Sequence, residues 1–282
     1  YSPGTVKCFD VATGQTLTEI EFGATIYSVA FSSRGTVAVG GGNEVMFYDG
    51  STGRLQHELR PDWLDGSPSN IYVSTLCFSP DGSTVALNGG RRDAYIYDTE
   101  TGDSRHQLFR LKSFSVKAAA FSPDGKSIAL GESLYLSYRH GSRAALYDAS
   151  TGDLRRTFPR FGGTLCLDFS PTDSTVLVAG GRKDLVAYNT ANGNMRELWR
   201  GSQEMKCVTF SPAGSTIAYF RTLIVAVIDI GRSDPTRDPF SVPARVLLTT
   251  HPGGPRRIEG IAFSPTGSVL AVGVGTKTCI RE

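Results

Sequence analysis

Histidine and cysteine are scarce in this chain of 282 residues. The four histidines, His57, His106, His140 and His251, fall in different parts of the sequence, without the short spacings of a metal site. The five cysteines, Cys8, Cys77, Cys166, Cys207 and Cys279, are scattered, four of them beside apolar strand residues, and read as buried reduced thiols rather than disulfide partners. No apolar run approaches the roughly 18 residues of a membrane span. The opening Tyr1-Ser2-Pro3-Gly4 lacks the basic and apolar regions of a signal peptide. Together these absences lead to the expectation of a cytoplasmic protein with no membrane span. No stretch has the period of an amphipathic helix. Lysine and arginine number 29 against 27 aspartate and glutamate, a net charge of +2 that does not by itself call for a nucleic-acid partner.

Chemistry-bearing motifs are equally sparse. There is no Gly-x-Ser-x-Gly elbow. Gly273 to Thr278 looks like a phosphate loop only superficially, because the Gly-Lys-Ser/Thr order is wrong and no helix pattern follows. Asp168 is an acid inside a strand pattern with no second acid in phase, which reads as a polar group partnered on a neighbouring element. The expectation is a protein that is not an enzyme and carries no cofactor and no metal.

Glycine and proline are plentiful instead, at 32 and 14 residues, and a Phe-Ser pair recurs six times. The pairs begin at Phe31, Phe78, Phe121, Phe169, Phe210 and Phe263, so the gaps are 47, 43, 48, 41 and 53 residues. A strand-rich period of roughly 40 to 50 residues predicts an all-β propeller of four-stranded blades. Residues 74–108 show one blade. Strand a ends at Phe78, and Ser79-Pro80-Asp81-Gly82 is a hairpin turn. Strand b follows from Thr84, strand c is Ala94 to Asp98, and strand d begins at Ser104 after Thr101-Gly102-Asp103. Strand c ends in an aromatic-Asp pair at Phe9-Asp10, Tyr48-Asp49, Tyr97-Asp98 and Tyr147-Asp148. A proline-bearing insertion, Gly231 to Pro243, reads as a surface loop in the fifth blade.

The Phe-Ser-Pro-Asp-Gly turns at 78–82 and 121–125, with the aromatic-Asp strand ends, resemble the WD-repeat propeller family across the whole chain. No strand c ends in Trp-Asp and no Gly-His dipeptide precedes a strand a, so the resemblance is to a divergent member. It implies a rigid platform for binding other proteins. The strands comprise a c–d pair at the N-terminus, five complete blades, and strands a, b and the start of c at the C-terminus. We expect residues 1–282 to form a single propeller, seven-bladed with incomplete first and last blades, within a longer chain.

Propeller topology sorts the turns onto two faces. The a–b and c–d turns collect Asp81, Asp98, Asp124 and Asp148, with Arg34 and Lys126 against them. The b–c and d–a connections collect a basic set: Arg91, Arg92, Arg143, Arg182 and Lys183 from b–c turns, and Arg256 and Arg257 from a d–a connection. Two longer connections on that face carry apolar side chains, Trp63 within 60–70 and Tyr135 and Tyr138 within 132–143, which are candidate contact anchors. These ten residues are the expected partner-binding set. The expected function is a non-enzymatic protein–protein interaction scaffold in a multi-subunit assembly. The alternative is a module that binds RNA or another polyanion, such as an acidic segment, through the basic face.

Overall fold

The computed structural model describes residues 4–9, 15–41, 44–59, 73–89, 94–108, 114–134, 143–159, 164–182, 184–201, 204–221, 224–230, 245–249, 256–263, 266–268 and 270–276. These residues form 24 strands, with no helix among them. Strands β1 (Gly4–Phe9) and β2 (Thr16–Phe22) make an antiparallel pair. The first blade is β3 (Ile26–Phe31), β4 (Thr36–Gly41), β5 (Glu44–Asp49) and β6 (Leu55–Leu59). The second is β7 (Val73–Phe78), β8 (Thr84–Gly89), β9 (Ala94–Asp98) and β10 (Ser104–Gln107). The third is β11 (Phe114–Phe121), β12 (Ser127–Leu134), β13 (Arg143–Asp148) and β14 (Leu154–Pro159). The fourth is β15 (Thr164–Phe169), β16 (Val176–Gly181), β17 (Asp184–Asn189) and β18 (Met195–Arg200). The fifth is β19 (Met205–Phe210), β20 (Thr216–Arg221), β21 (Ile224–Asp229) and β22 (Arg245–Thr249). A last antiparallel pair joins β23 (Arg256–Phe263) to β24 (Leu270–Thr276). The expected insertion at 231–243 and the third C-terminal strand near Thr278 lie outside the described residues.

This is a β-propeller. The first strands of successive blades abut one another, β3 on β7, β7 on β11, β11 on β15, β15 on β19 and β19 on β23. First strands therefore line the centre, and fourth strands such as β6 and β10 form the exposed outer rim. Second strands sit between them, and β4 is buried along its whole length. Each inner strand carries a bulge near its start, where the register slips before Ser28, Thr75, Ala118, Cys166, Cys207 and Gly260. A bulge sharpens local twist, and its recurrence gives each blade the same lean.

The core lies in the seams between blades. Period-two alternation splits each strand: Ile128 and Leu130 of β12 face the second blade, while Ala129 between them faces the fourth. The repeat motif supplies the seam aromatics. Phe121 and Tyr147 meet in the seam before the third blade, Phe169 and Tyr188 in the seam before the fourth, and Phe210 with Ile228 in the seam before the fifth. Full burial of one such aromatic contributes about 2–3 kcal/mol.

Candidate interaction surface

The serine and aspartate of the repeat brace backbone turns. Ser79 Oγ accepts from Thr84 N at 3.0 Å and donates to Asp81 Oδ1 at 2.6 Å, and Ser83 N donates to the same oxygen at 3.0 Å. Ser122, Asp124, Lys126 and Ser127 repeat this one blade on, at 3.0, 2.6 and 3.1 Å. The turn closes through Gly82 and Gly125, both at φ 69°, a left-handed conformation that glycine adopts without strain. The aspartate that ends strand c caps the c–d turn. Asp98 Oδ1 accepts from the amides of Glu100 and Thr101 at 2.9 and 3.0 Å, and Asp148 Oδ1 from Ser150 and Thr151 at 2.8 and 3.0 Å. Asn189 does the same in the fourth blade at 3.0 Å. Hydrogen bonds from Ser51 and Thr52 lower Asp49 to about 2, and those from Ser79 and Ser83 lower Asp81 to about 2. These carboxylates are ionised at neutral pH.

Arg105 and Arg155 add an ion pair to Asp98 and Asp148. Each arginine occupies the bulged second position of its outer strand, which turns its side chain back towards strand c. The sequence carries a signal for this, an arginine seven residues after the strand-c aspartate in both blades, which the face-by-face reading of charge passes over.

The basic connections fare differently. Arg91, Arg92, Lys183, Trp63, Tyr135 and Tyr138 lie outside the described residues. Arg182 sits in the turn between β16 and β17 and pairs with Glu204 of the fifth blade at 3.2 Å, and Glu204 also takes Lys206 at 2.8 Å. Arg143 is not a loop residue but the first residue of β13, and its Nε donates to Glu132 Oε2 at 2.5 Å. Glu132 likewise belongs to β12, where it is fully buried and also accepts from Tyr147 at 2.8 Å. Arg256 and Arg257 are not in a d–a connection either: they open β23, opposite Thr276 and Gly275. Arg143 and Arg182, the members of the basic set whose side chains the structure describes, thus each hold an acid.

On the other face the a–b and c–d turns do converge. An open cleft of about 360 Å³ lies between the second and third blades. Its walls are the Ser79–Thr84 turn, the Pro123–Gly125 turn, Ala149 and Ser150 of the third blade's c–d turn, and Arg105. Two ionised carboxylates, Asp81 and Asp124, face it from adjacent blades.

Asp168 braces the neighbouring blade. Its Oδ2 accepts from Phe210 N at 3.0 Å. Burial pushes its carboxyl up to about 6, against hydrogen bonds from Phe210, Phe169 and Thr209 that pull it down. Cys8, Cys77, Cys166 and Cys207 are free thiols, and burial raises Cys77 to about 12 and Cys207 to about 11, which suits packing rather than reactivity.

A family model described as outer membrane protein assembly factor BamB, named PQQ_2, matches residues 2–199, more than two thirds of the 282. No curated protein matches the chain. The match overturns the resemblance to WD repeats. The physical reason lies in the turns: the Phe-Ser-Pro-Asp-Gly and aromatic-Asp pairs report how a blade's hairpins are capped and its seams filled. Such capping does not distinguish one propeller family from another. The chain belongs to the PQQ_2 family of β-propellers, described as outer membrane protein assembly factor BamB, and not to the WD-repeat family.

Proposed function

We propose that the chain is a non-enzymatic protein–protein interaction scaffold within a larger assembly. The observation that carries this reading is the hydrogen-bonded bracing of the turn face. Adjacent blades present the same turn in the same conformation, each held by its own serine and aspartate. Such a surface holds its shape before a partner arrives, so little ordering entropy opposes docking. Membership of a family described as an assembly factor supports the same reading. The free thiols Cys8, Cys77, Cys166 and Cys207 support a reducing compartment, and the cytoplasm is proposed as the working location.

Cross-linking capture of the tagged chain from its source cells, followed by mass spectrometry, tests the scaffold. The expected result is one or more protein partners recovered in constant stoichiometry, with cross-links mapping to propeller turns. A chain recovered alone, or one whose only retained ligand is nucleic acid, overturns the proposal. Fractionation of the same cells tests the location.

A further inference from the structure

The cleft between the second and third blades has a filled counterpart one blade earlier, and the filling names the chemistry that fits. Between the first and second blades, Ser33 Oγ donates to Pro80 O at 2.7 Å and Arg34 Nε donates to Asp81 O at 2.8 Å. The Arg34 stem crosses Gly82, where an added Cβ would meet its Cγ at 3.1 Å. That guanidinium thus lies across the next blade's a–b turn.

The motif shifts by one blade and both donors vanish. Pro80 stands where Ser33 stood and Asp81 where Arg34 stood. Proline has no hydroxyl, and the Asp81 carboxylate is turned back onto Ser79 and Ser83. The third-blade carbonyls of Pro123 and Asp124 correspond to those of Pro80 and Asp81, so this gap lacks the donors its neighbour has. The space above Gly125 is correspondingly open, with Pro80 Cδ at 3.7 Å as the nearest atom to an added Cβ. The gap left is the 360 Å³ cleft, and an anionic side chain now stands at the position a cation fills one blade earlier.

We infer that this cleft is a docking site for an arginine side chain of a partner protein, which lies over the Pro123–Gly125 turn as Arg34 lies over the Ser79–Gly82 turn. The inference rests on the scaffold reading and gives its partner a chemistry. The guanidinium donates to the turn carbonyls and is paired by Asp81 and Asp124, a charge-assisted arrangement stronger than a neutral one. Of the charged residues lining the cleft, Arg105 is held by Asp98, while Asp81 and Asp124 feel Arg34 and Lys126 from outside the lining.

The test uses the whole chain, labelled with nitrogen-15, and two peptides: acetyl-Gly-Arg-Gly amide and its counterpart with neutral citrulline in place of arginine. The arginine peptide is expected to shift the amides of Ser83, Gly125 and Ser150 saturably, with the citrulline peptide leaving them in place. Asp81→Asn is expected to weaken binding about threefold to tenfold, the range of one exposed charge-assisted contact. Asp81→Arg installs the chain's own plug and is expected to abolish the shifts. It is expected to fold, because the first blade already carries arginine at that turn position, and a cooperative thermal melt, lowered only by the loss of the Asp81 turn hydrogen bonds, verifies this. No saturable shift at those amides, an equal response to citrulline, or full binding by a folded Asp81→Arg variant overturns the inference. Partner capture repeated with Asp81→Arg separates the two readings. Partners retained without peptide binding sink the cleft alone, and peptide binding with no protein partner sinks the scaffold alone.

Discussion

Glu132 has no exposed surface, and its two hydrogen-bond donors come from the next strand of its own blade. Burial raises its carboxyl, and Arg143 and Tyr147 pull it back down. Breaking one side of such a pair leaves a charge stranded in the core. Arg143→Ala is therefore expected to cost about 3 kcal/mol in urea unfolding, while Arg143→Ala with Glu132→Met costs less than the single change because no charge is left behind. An equal or larger loss in the double variant would show that packing rather than charge sets the value. In the sequence, Glu132 and Arg143 look like the two ends of a long loop, since they stand eleven positions apart and burial leaves no local mark. Asp168 gives a pH signature of opposite sign to the turn aspartates. Its folded value of about 6 lies above the ~3.9 of an unfolded aspartate. Between those values the folded chain holds a proton that the unfolded chain has released. Stability from this group therefore falls as pH rises through the window, by about 2 kcal/mol, and stays lost above it. Measured by urea unfolding at pH 4 and pH 7, the wild type is expected to lose about that much relative to Asp168→Asn. Parallel curves for the two proteins would mean that the carboxylate is ionised throughout.

At the scale of the element, the turns carry the repeat. The a–b turn closes on a glycine at positive φ in the first, second, third and fifth blades, Gly35, Gly82, Gly125 and Gly214, and the c–d turn on Gly53, Gly102, Gly152 and Gly193 in the first four. An alanine at Gly125 would touch only Pro80, at 3.7 Å, so Gly125→Ala is expected to cost about 1 kcal/mol from backbone conformation alone. Gly53 has φ 70° as well, but a Cβ there would lie 2.1 Å from Thr18 Oγ1 of the preceding sheet. Gly53→Ala is thus expected to be the more destabilising of the two in chemical denaturation, and equal losses would count against the inter-sheet contact. These turns were legible in the sequence because serine, proline, aspartate and glycine each have a local reason to be there. Their partners across the blade boundary were not. Ser33 reaching Pro80 and Arg34 reaching Asp81 span 47 residues, and nothing in the composition of either turn announces the other. Arg143, Arg256 and Arg257 look like residues of connections for a related reason: their strands run longer than the apolar cores that mark them in the sequence.

At the scale of the whole molecule, a residue's worth is set by what its neighbouring sheet offers. Phe31, Phe121, Phe169 and Phe210 hold the same place in the motif, opposite the second residue of strand b. The sequence treats them as equivalent, and its period shows the propeller correctly on that basis. The structure separates them. Phe169 is 4 % exposed, packed with Leu167 against Ala129, Leu146 and Phe158 of the third blade. Phe31 is 63 % exposed, with Val29 and Tyr27 of the same strand also open. Among the described residues, the sheet before the first blade consists of β1 and β2, and its Ile20 and Phe22 pack with Val37, Val39 and Tyr48 and reach the inner strand at its first residue, Ile26. Removing the buried ring leaves a cavity between two blades, whereas removing the exposed ring returns a side chain's surface to water that already reached it. Phe169→Ala is therefore expected to cost about 3–4 kcal/mol and Phe31→Ala less than about 1 kcal/mol. Urea unfolding of both variants measures the contrast in a single experiment. Comparable losses would mean that another sheet covers β3 in solution and that the first blade's inner face is as deep in the protein as the fourth's.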